Sequence, residues 1–502
     1  MHSRDPQKSD SEFQQEFERI LKEATDRNEV ADFTLFVFPS ANYYDREFPA
    51  KCEFVGAVFT QEADFSGATF TQGVHFIGAK FTQEADFSDA TFTQEANFNG
   101  AELTRGANFR LATFTRRANF ALATFTQEAN FSYAKFTQEA DFSDATFTQN
   151  ADFRLATFTR RANFALATFT QEANFNGAKL TRGANFRRAT FTQKAGFAGA
   201  TFTQEADFEH AKFLAPADFR ETTFRNDDKL SRGAVFCMAE FSHPEAIVFY
   251  KTNLCQALFH NCDVSKVTFS SVEWRTRKGS GRRMLFEEEV DLKYASALET
   301  GRDSDDERDY GLIAELYQQL KKNYDERKDY SAAGDFHYGE MEMKRLHSRS
   351  QRPWVRRLHQ HLGLVAWYKY ASSYGESYRR PLGWLAFVLL VFTALYPLAG
   401  LRTAPPAFTA VTQQASPPMP ATELSYCHFG EFVRAYPGPK WIAGAAFFGH
   451  SLMTTLAVTG LQKELRYEPV YPWGRALALV QLVLTSTLIA LFLLALRRQF
   501  RR

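Results

Sequence analysis

The sequence predicts a mixed architecture, in which an elongated repeat solenoid leads into a short helical region and then into an α-helical membrane part. Three observations carry that expectation. The first is a Phe ladder: the chain holds 52 Phe in 502 residues, most of them at or before Phe269. The second is the alternation of spacing along that ladder, five then six residues, which is neither the 3.6 of a helix nor the 2 of a strand. The third is a pair of long apolar runs near the C-terminus, Leu382–Leu401 and Ala476–Leu496, each flanked by arginines.

Composition narrows the function classes. The net charge of +1 gives no global attraction to nucleic acid or to an acidic partner. Between Lys51 and Phe224 about 17 Lys and Arg face about 19 Asp and Glu, so the ladder lacks the dense one-sign field that would mimic or bind DNA. The five cysteines, Cys52, Cys237, Cys255, Cys262 and Cys427, show neither a C-x-x-C pair nor zinc spacing, and read as reduced structural thiols. The polar start, Met1 to Asp10, has no apolar h-region, and the chain is expected to begin in the cytoplasm. No P-loop, H-E-x-x-H or G-x-S-x-G occurs, so no enzyme is expected, and no cofactor or metal.

Residues 1–47 are expected to cap the N-terminal end, with Glu12–Ala24 as a short amphipathic helix. Residues 48–274 form the ladder: Phe54, Phe59, Phe65, Phe70, Phe76, Phe81, Phe87, Phe92, Phe98, Leu103, Phe109, continuing through Phe219 and Phe224. An Ala stands two residues before most rungs (Ala63, Ala68, Ala85, Ala90, Ala96). A self-similar unit of this size signals coils that bury their apolar rungs against one another. Asn108–Phe131 recurs with one change at Asp152–Phe175, a shift of four repeat units. That shift keeps every side chain on its own face if two units make one coil. From Phe249 the rhythm tightens to a strict five, through Leu254, Phe259, Val264, Phe269 and Trp274.

The unit Ala63-Asp-Phe-Ser-Gly-Ala-Thr-Phe-Thr-Gln-Gly73 resembles the pentapeptide repeat family, A-[DN]-[LF]-x-x. That resemblance implies a right-handed, four-sided β-helix of about 20 residues per coil, here widened to about 22 by one extra residue in every second pentapeptide. Its outer faces would serve an unidentified protein partner rather than nucleic acid.

Residues 275–380 read as a cytoplasmic helical linker. Arg275–Arg283 is a basic connector, Phe286–Leu298 a helix, and Thr300–Asp309 an acidic loop. Ile313–Tyr324 and Tyr330–Leu346 carry apolar residues at helical spacing and resemble a single tetratricopeptide-type hairpin, a rigid adaptor between solenoid and membrane. Asp335, His337, Glu340 and Glu342 are scattered over different helix faces and do not read as a metal site. Trp354–Lys369 is basic and aromatic, as expected of an interfacial helix at a lipid surface.

Residues 381–502 are expected to form a pore-like membrane domain of two spans and a re-entrant helix. Arg379 and Arg380 precede the first span, and Arg497, Arg498, Arg501 and Arg502 follow the second, which places both chain ends in the cytoplasm of a plasma or inner membrane. Between them lie a Pro-rich loop, 402–440, and the apolar segment Trp441–Gly460. Two spans around Ser451-Leu-Met-Thr-Thr-Leu-Ala-Val-Thr-Gly460, with Pro469-Val-Tyr-Pro-Trp-Gly-Arg475 beyond, resemble the two-transmembrane potassium channels. The resemblance implies a homotetramer, a monovalent cation as the permeant species, and a filter at Thr454, Thr455, Leu456, Ala457, Val458, Thr459 and Gly460. The second Gly and the aromatic of that family's filter are replaced by Leu461-Gln462-Lys463. Gln481, Thr485, Leu488 and Phe492 share one face of the last helix and are the candidate pore lining. Hydrogen bonding between spans is the alternative for the Thr and Ser positions, and a membrane-anchored repeat scaffold that conducts nothing is the alternative function.

Overall fold

The structure is a computed structural model that describes residues 10–226, 231–289, 309–347, 353–403, 429–436, 438–460, 467–469 and 471–501. It divides into two compact units, Met1–Met343 and Lys344–Arg502.

The first unit is a parallel solenoid with four sheets of 11, 10, 11 and 9 strands, each strand in the regular coils paired with the one four places on in sequence. Most strands are two residues long. The register bears out a coil of two repeat units: Ala63 pairs with Ala85, Ala85 with Ala107, and Ala107 with Ala129. Both inward positions expected from the sequence are buried, with Ala63, Phe65, Ala68 and Phe70 no more than 1% exposed. The rings stack coil on coil in columns, as in Phe65–Phe87 at 4.9 Å and 1°, and neighbouring columns meet edge to face, as in Phe98–Phe109 at 5.4 Å and 88°. Both are favoured ring geometries.

The polar residues of the repeat have equally local jobs. Where Asp or Asn precedes the first Phe of a unit, it accepts from the amide two residues on, as Asp64 Oδ1 does from Ser66 N at 2.9 Å and Asn108 Oδ1 from Arg110 N at 3.1 Å. These Asx turns shape one corner. The fifth residue of that corner is left-handed: Gly67 has φ +69°, and Leu111 and Leu122 take φ +64° and +61° at equivalent corners. Several Thr residues after the second Phe of a unit stitch coils together, as Thr93 Oγ1 does by donating to Phe70 O at 3.1 Å and Thr82 Oγ1 to Phe59 O at 3.0 Å.

The ladder begins earlier than residue 48. Val30–Asp32 pairs with Lys51–Glu53, and Val37 with Val58. These partners stand one position closer in sequence than Ala63 and Ala85 do. This first coil is thus one residue short and has Tyr43 in place of a rung Phe, so it falls out of the eleven-residue rhythm. Helix α1 (Asp10–Arg27) closes that end with Phe13, Phe17, Leu21 and Ala24 buried. Phe17 stacks on Phe33 at 4.6 Å and on Tyr43 at 4.9 Å. At the other end the tightened rhythm is real: Phe249 pairs with Phe269, the fourth rung after it in the strict-five series.

The helices expected to be a rigid adaptor close the C-terminal end of the solenoid. Helices α2 (Tyr310–Glu326) and α3 (Tyr330–Leu346) pack so tightly that a Cβ on Gly339 would lie 2.4 Å from the Tyr317 ring. Asn323 Nδ2 donates to the carbonyls of Val264 and Val267 at 3.0 and 2.8 Å, and Trp274 Nε1 donates to Tyr324 Oη at 2.9 Å. These bonds satisfy the backbone of the last coil, which has no further coil to pair with. The boundary between units accordingly falls at residue 343, inside the expected linker 275–380.

The helix expected at Phe286–Leu298 is a 3-10 turn over Phe286–Glu288, with 290–298 outside the described residues. Its carboxylates turn inward: Glu287 Oε1 accepts from Phe259 N at 2.6 Å, and Glu288 pairs with Arg277 at 2.7 Å and with the Tyr317 hydroxyl. Of the acidic loop only Asp309 is described, and it caps α2 by accepting from Gly311 N and Leu312 N at 3.0 and 3.1 Å. Asp335 turns to Arg283 at 3.0 Å while Glu340 pairs with Lys321 at 3.3 Å, so this acidic group serves the packing of the cap.

The second unit is helical: α4 (Pro353–Leu362), α5 (Leu364–Ser372), α6 (Arg379–Ala399), α7 (Phe429–Ala435), α8 (Lys440–Val458) and α9 (Pro472–Arg501). The expected Pro-rich loop lies largely at 404–428, outside the described residues, as does the connector 461–466. Leu401–Thr403 pairs antiparallel with Tyr467–Pro469, which brings the end of α6 to the start of α9.

Candidate functional site in the apolar helices

Three described helices, α6, α8 and α9, are long and apolar enough to cross a membrane. At 1.5 Å per residue, the 19 residues of α8 extend about 28 Å. The expected Thr-rich turn at Ser451–Gly460 is therefore helical as far as Val458. Its hydroxyls bond back within the helix, Thr454 to His450 O at 2.9 Å, Thr455 to Ser451 O at 2.9 Å, and Thr459 to Thr455 O at 2.6 Å. This back-bonding lets Thr persist in an apolar helix without an exposed polar group. Gly460, at φ +84°, ends the helix in the left-handed region where a glycine is at no disadvantage.

Helices α6 and α9 run antiparallel. At one end Leu477 of α9 packs with Phe392, Tyr396 and Leu401. At the other, Arg498 Nη1 donates to Glu376 Oε1 at 3.0 Å and to Tyr374 O at 2.9 Å, just ahead of α6. The last turns of α8 join this pair, with Val458 against the Phe392–Tyr396–Leu401 cluster. Its first half packs instead on α7, Ala443 and Phe447 against Phe432.

A buried polar network joins the three helices. Tyr396 Oη donates to Gln481 Oε1 at 2.7 Å, and Gln481 Nε2 donates to Thr455 O at 2.8 Å and to Thr459 Oγ1 at 2.9 Å. Ser451 Oγ donates to Thr393 O at 2.5 Å, and the Thr393 and Thr455 hydroxyls lie 3.3 Å apart. Thr485 Oγ1 continues it by donating to Gln481 O at 2.9 Å. Gln481, Thr485, Thr455 and Thr393 are fully buried. The structure thus brings together Thr455, Thr459, Gln481 and Thr485 from the two candidate groups. Thr454 and Ala457 are buried alongside, Leu456 and Val458 are half-buried apolar neighbours, and Gly460 is exposed.

Leu488 is buried and Phe492 half-buried further along α9, where both extend the face begun by Gln481 and Thr485 as apolar contacts. Within one chain, the polar stripe faces its own neighbouring helices. The members outside both candidate groups are Ser451, Thr393 and Tyr396, the last two visible only as polar residues, three apart, inside the first apolar run.

A four-sided parallel solenoid with an A-[DN]-F rung is the class that the first unit defines. Residues 47–223 match pentapeptide repeats in 9 copies, with matched segments at 47–91, 76–124, 87–135, 131–179, 154–201 and 175–223. The matched stretch is about a third of the chain, and the coils beyond it at either end continue the same sheets. No curated protein and no solved structure matches the chain.

Proposed function

We propose that the chain is a multi-pass membrane protein that tethers its pentapeptide-repeat solenoid to the cytoplasmic face of a cell membrane, as a scaffold for a protein partner. The observation that carries this reading is the antiparallel pairing of α6 and α9. It gathers Arg379, Arg380, Arg497, Arg498 and Arg501 at one end of two apolar helices, against Arg402 and Arg475 at the other. Basic ends of apolar helices are retained on the cytoplasmic side. Leu479, Val483 and Leu493 of α9 are 57% to 65% exposed, an apolar surface suited to lipid or to another copy. Alkaline carbonate extraction tests the anchor: the chain stays with the membrane pellet if α6 and α9 span, and its release into the supernatant would reject the reading.

A second reading, an oligomeric cation channel, is favoured by α8 reaching α6 and α9 with its C-terminal half and ending on an exposed left-handed glycine. A helix C-terminus carries partial negative charge and attracts a cation. In a symmetric tetramer with a monovalent cation on its axis, the filter would be drawn from Thr454 to Gly460, less the Thr455 carbonyl, which already accepts from Gln481. Single-channel recording from the purified oligomer under biionic conditions decides it: silence from a folded oligomer removes conduction and leaves the anchor.

A further inference from the structure

The second unit contains a feature that neither the anchor nor the channel uses. The last turn of α3 and the α4–α5 elbow enclose an open cleft of about 770 Å³. The end of α3 and the residue after it contribute Lys344, Arg345 and His347 to the lining, and α4 and α5 contribute Leu362, Leu364 and Trp367 beside His359. The apolar side faces outward, with Leu364 89% exposed, Leu362 60% and Trp367 57%. Two leucines and a tryptophan so exposed on adjoining helices mark a surface that something apolar covers.

The elbow that makes the cleft is closely fitted. Gly363 joins α4 to α5, and a Cβ there would lie 2.5 Å from the His359 carbonyl oxygen. Arg345 Nη1 donates to Gln360 O at 2.9 Å, and Gln360 Nε2 donates to Leu346 O at 3.1 Å, so the end of α3 is bonded to α4 across the cleft. The same elbow is fastened to the basic end of α6. Trp384 Nε1 donates to Tyr370 O at 3.2 Å, and Arg380 Nη1 donates to Lys369 O at 3.1 Å. If α6 enters the bilayer at Arg379, α5 lies at headgroup depth.

We propose that this cleft binds an anionic phospholipid, with the headgroup phosphate against Lys344 and Arg345 and an acyl chain along Leu362, Leu364 and Trp367. Cationic groups and an apolar wall in one cleft complement the two parts of such a lipid, and the apolar wall adjoins the surface of the membrane helices. The inference rests on the membrane reading above, since it needs α6 to place the elbow at the bilayer surface.

The test uses the full chain in nanodiscs that contain, at equal low mole fraction, phosphatidylglycerol or phosphatidylcholine with brominated acyl chains, which quench tryptophan on contact. The share of emission due to Trp367 is the difference between the wild-type protein and Trp367→Phe. Brominated phosphatidylglycerol is expected to quench that share at a lower mole fraction than brominated phosphatidylcholine. Lys344→Gln is expected to weaken the preference about fivefold, the effect of about one cationic charge near an anionic surface. Arg345 is not substituted, because its Nη1 holds the Gln360 carbonyl.

Equal quenching by the two lipids, or a preference unchanged in Lys344→Gln, would overturn the proposal. Competition by inorganic phosphate at millimolar levels would overturn the lipid as occupant in favour of a free anion. Failure of the anchor itself is read separately: a chain released by carbonate loses the membrane reading, whereas a retained chain without lipid preference loses only this site.

Discussion

Tyr396 and Gln481, 85 positions apart, meet at 2.7 Å between two apolar helices, and Gln481 passes the connection on to the Thr455 carbonyl at 2.8 Å. A glutamine amide in so apolar a setting is costly unless both its ends are bonded, and here they are. Gln481→Leu is expected to leave Tyr396 Oη and the Thr455 carbonyl without this partner. It should destabilise the helical unit by about 1–2 kcal/mol, read as a lower melting temperature of that unit in detergent while the solenoid transition stays put. Tyr396→Phe should cost less, because it removes one bond of the three.

Phe131 stacks between Phe109 at 4.8 Å and Phe153 at 5.0 Å, with no exposed surface. Phe131→Ala should cost about 3–5 kcal/mol by opening a cavity between its two stacking partners, seen as a lower urea midpoint of the solenoid. Leu122, one corner away, is 59% exposed at φ +61°. Leu122→Asn should be neutral or stabilising by up to about 1 kcal/mol, because Asn tolerates the left-handed region better than Leu.

Glu287 is fully buried, and burial raises its carboxyl from 4.5 to about 7, partly offset by the amide bond from Phe259. The unfolded chain releases this proton near its ordinary value, whereas the folded chain holds it to about pH 7. Between those values the unfolded state binds fewer protons, so stability falls as pH rises and levels off above the upper one. The shift corresponds to about 3 kcal/mol. Glu287→Gln should remove that part of the pH dependence, measured as the difference between wild-type and variant stability across pH 4 to 8; parallel profiles would contradict the assignment.

Helix α1 covers the first coil through Phe17, whose ring also lies under the Arg46 guanidinium at 5.3 Å. Phe17→Asp should lift the cap and leave the Val30–Asp32 end of the sheets open to pairing with another molecule. Light scattering should then show end-to-end association that the wild-type protein lacks.

The interior of the solenoid was legible because its signal is local and repeated: each coil restates the same Ala and Phe positions, so register follows from period. The α1 cap was legible for the same reason, its buried Phe13, Phe17, Leu21 and Ala24 falling at helical spacing. What escaped were the contacts made once. The first coil is a residue short and uses Tyr43, Asn323 reaches back from a helix far along the chain to the Val264 and Val267 carbonyls, and Glu287 turns inward to one amide. In the membrane part, Thr455, Thr459 and Gln481 stood out as polar residues in apolar runs. That Gln481 turns to Tyr396 and to the end of α8 depends on how three distant segments pack, which no local pattern records.

The proposed topology has α6 and α9 as a membrane-spanning hairpin with the solenoid and both basic helix ends on the cytoplasmic side. Single cysteines at Gly199 of the solenoid, at Ala415 between α6 and α8, and at Phe500 of α9, in a chain otherwise free of cysteine, report this when labelled with an impermeant maleimide in intact cells. Labelling is expected at 415 alone before lysis and at all three after it. Labelling of 199 or 500 in intact cells, or of none of the three, would contradict it.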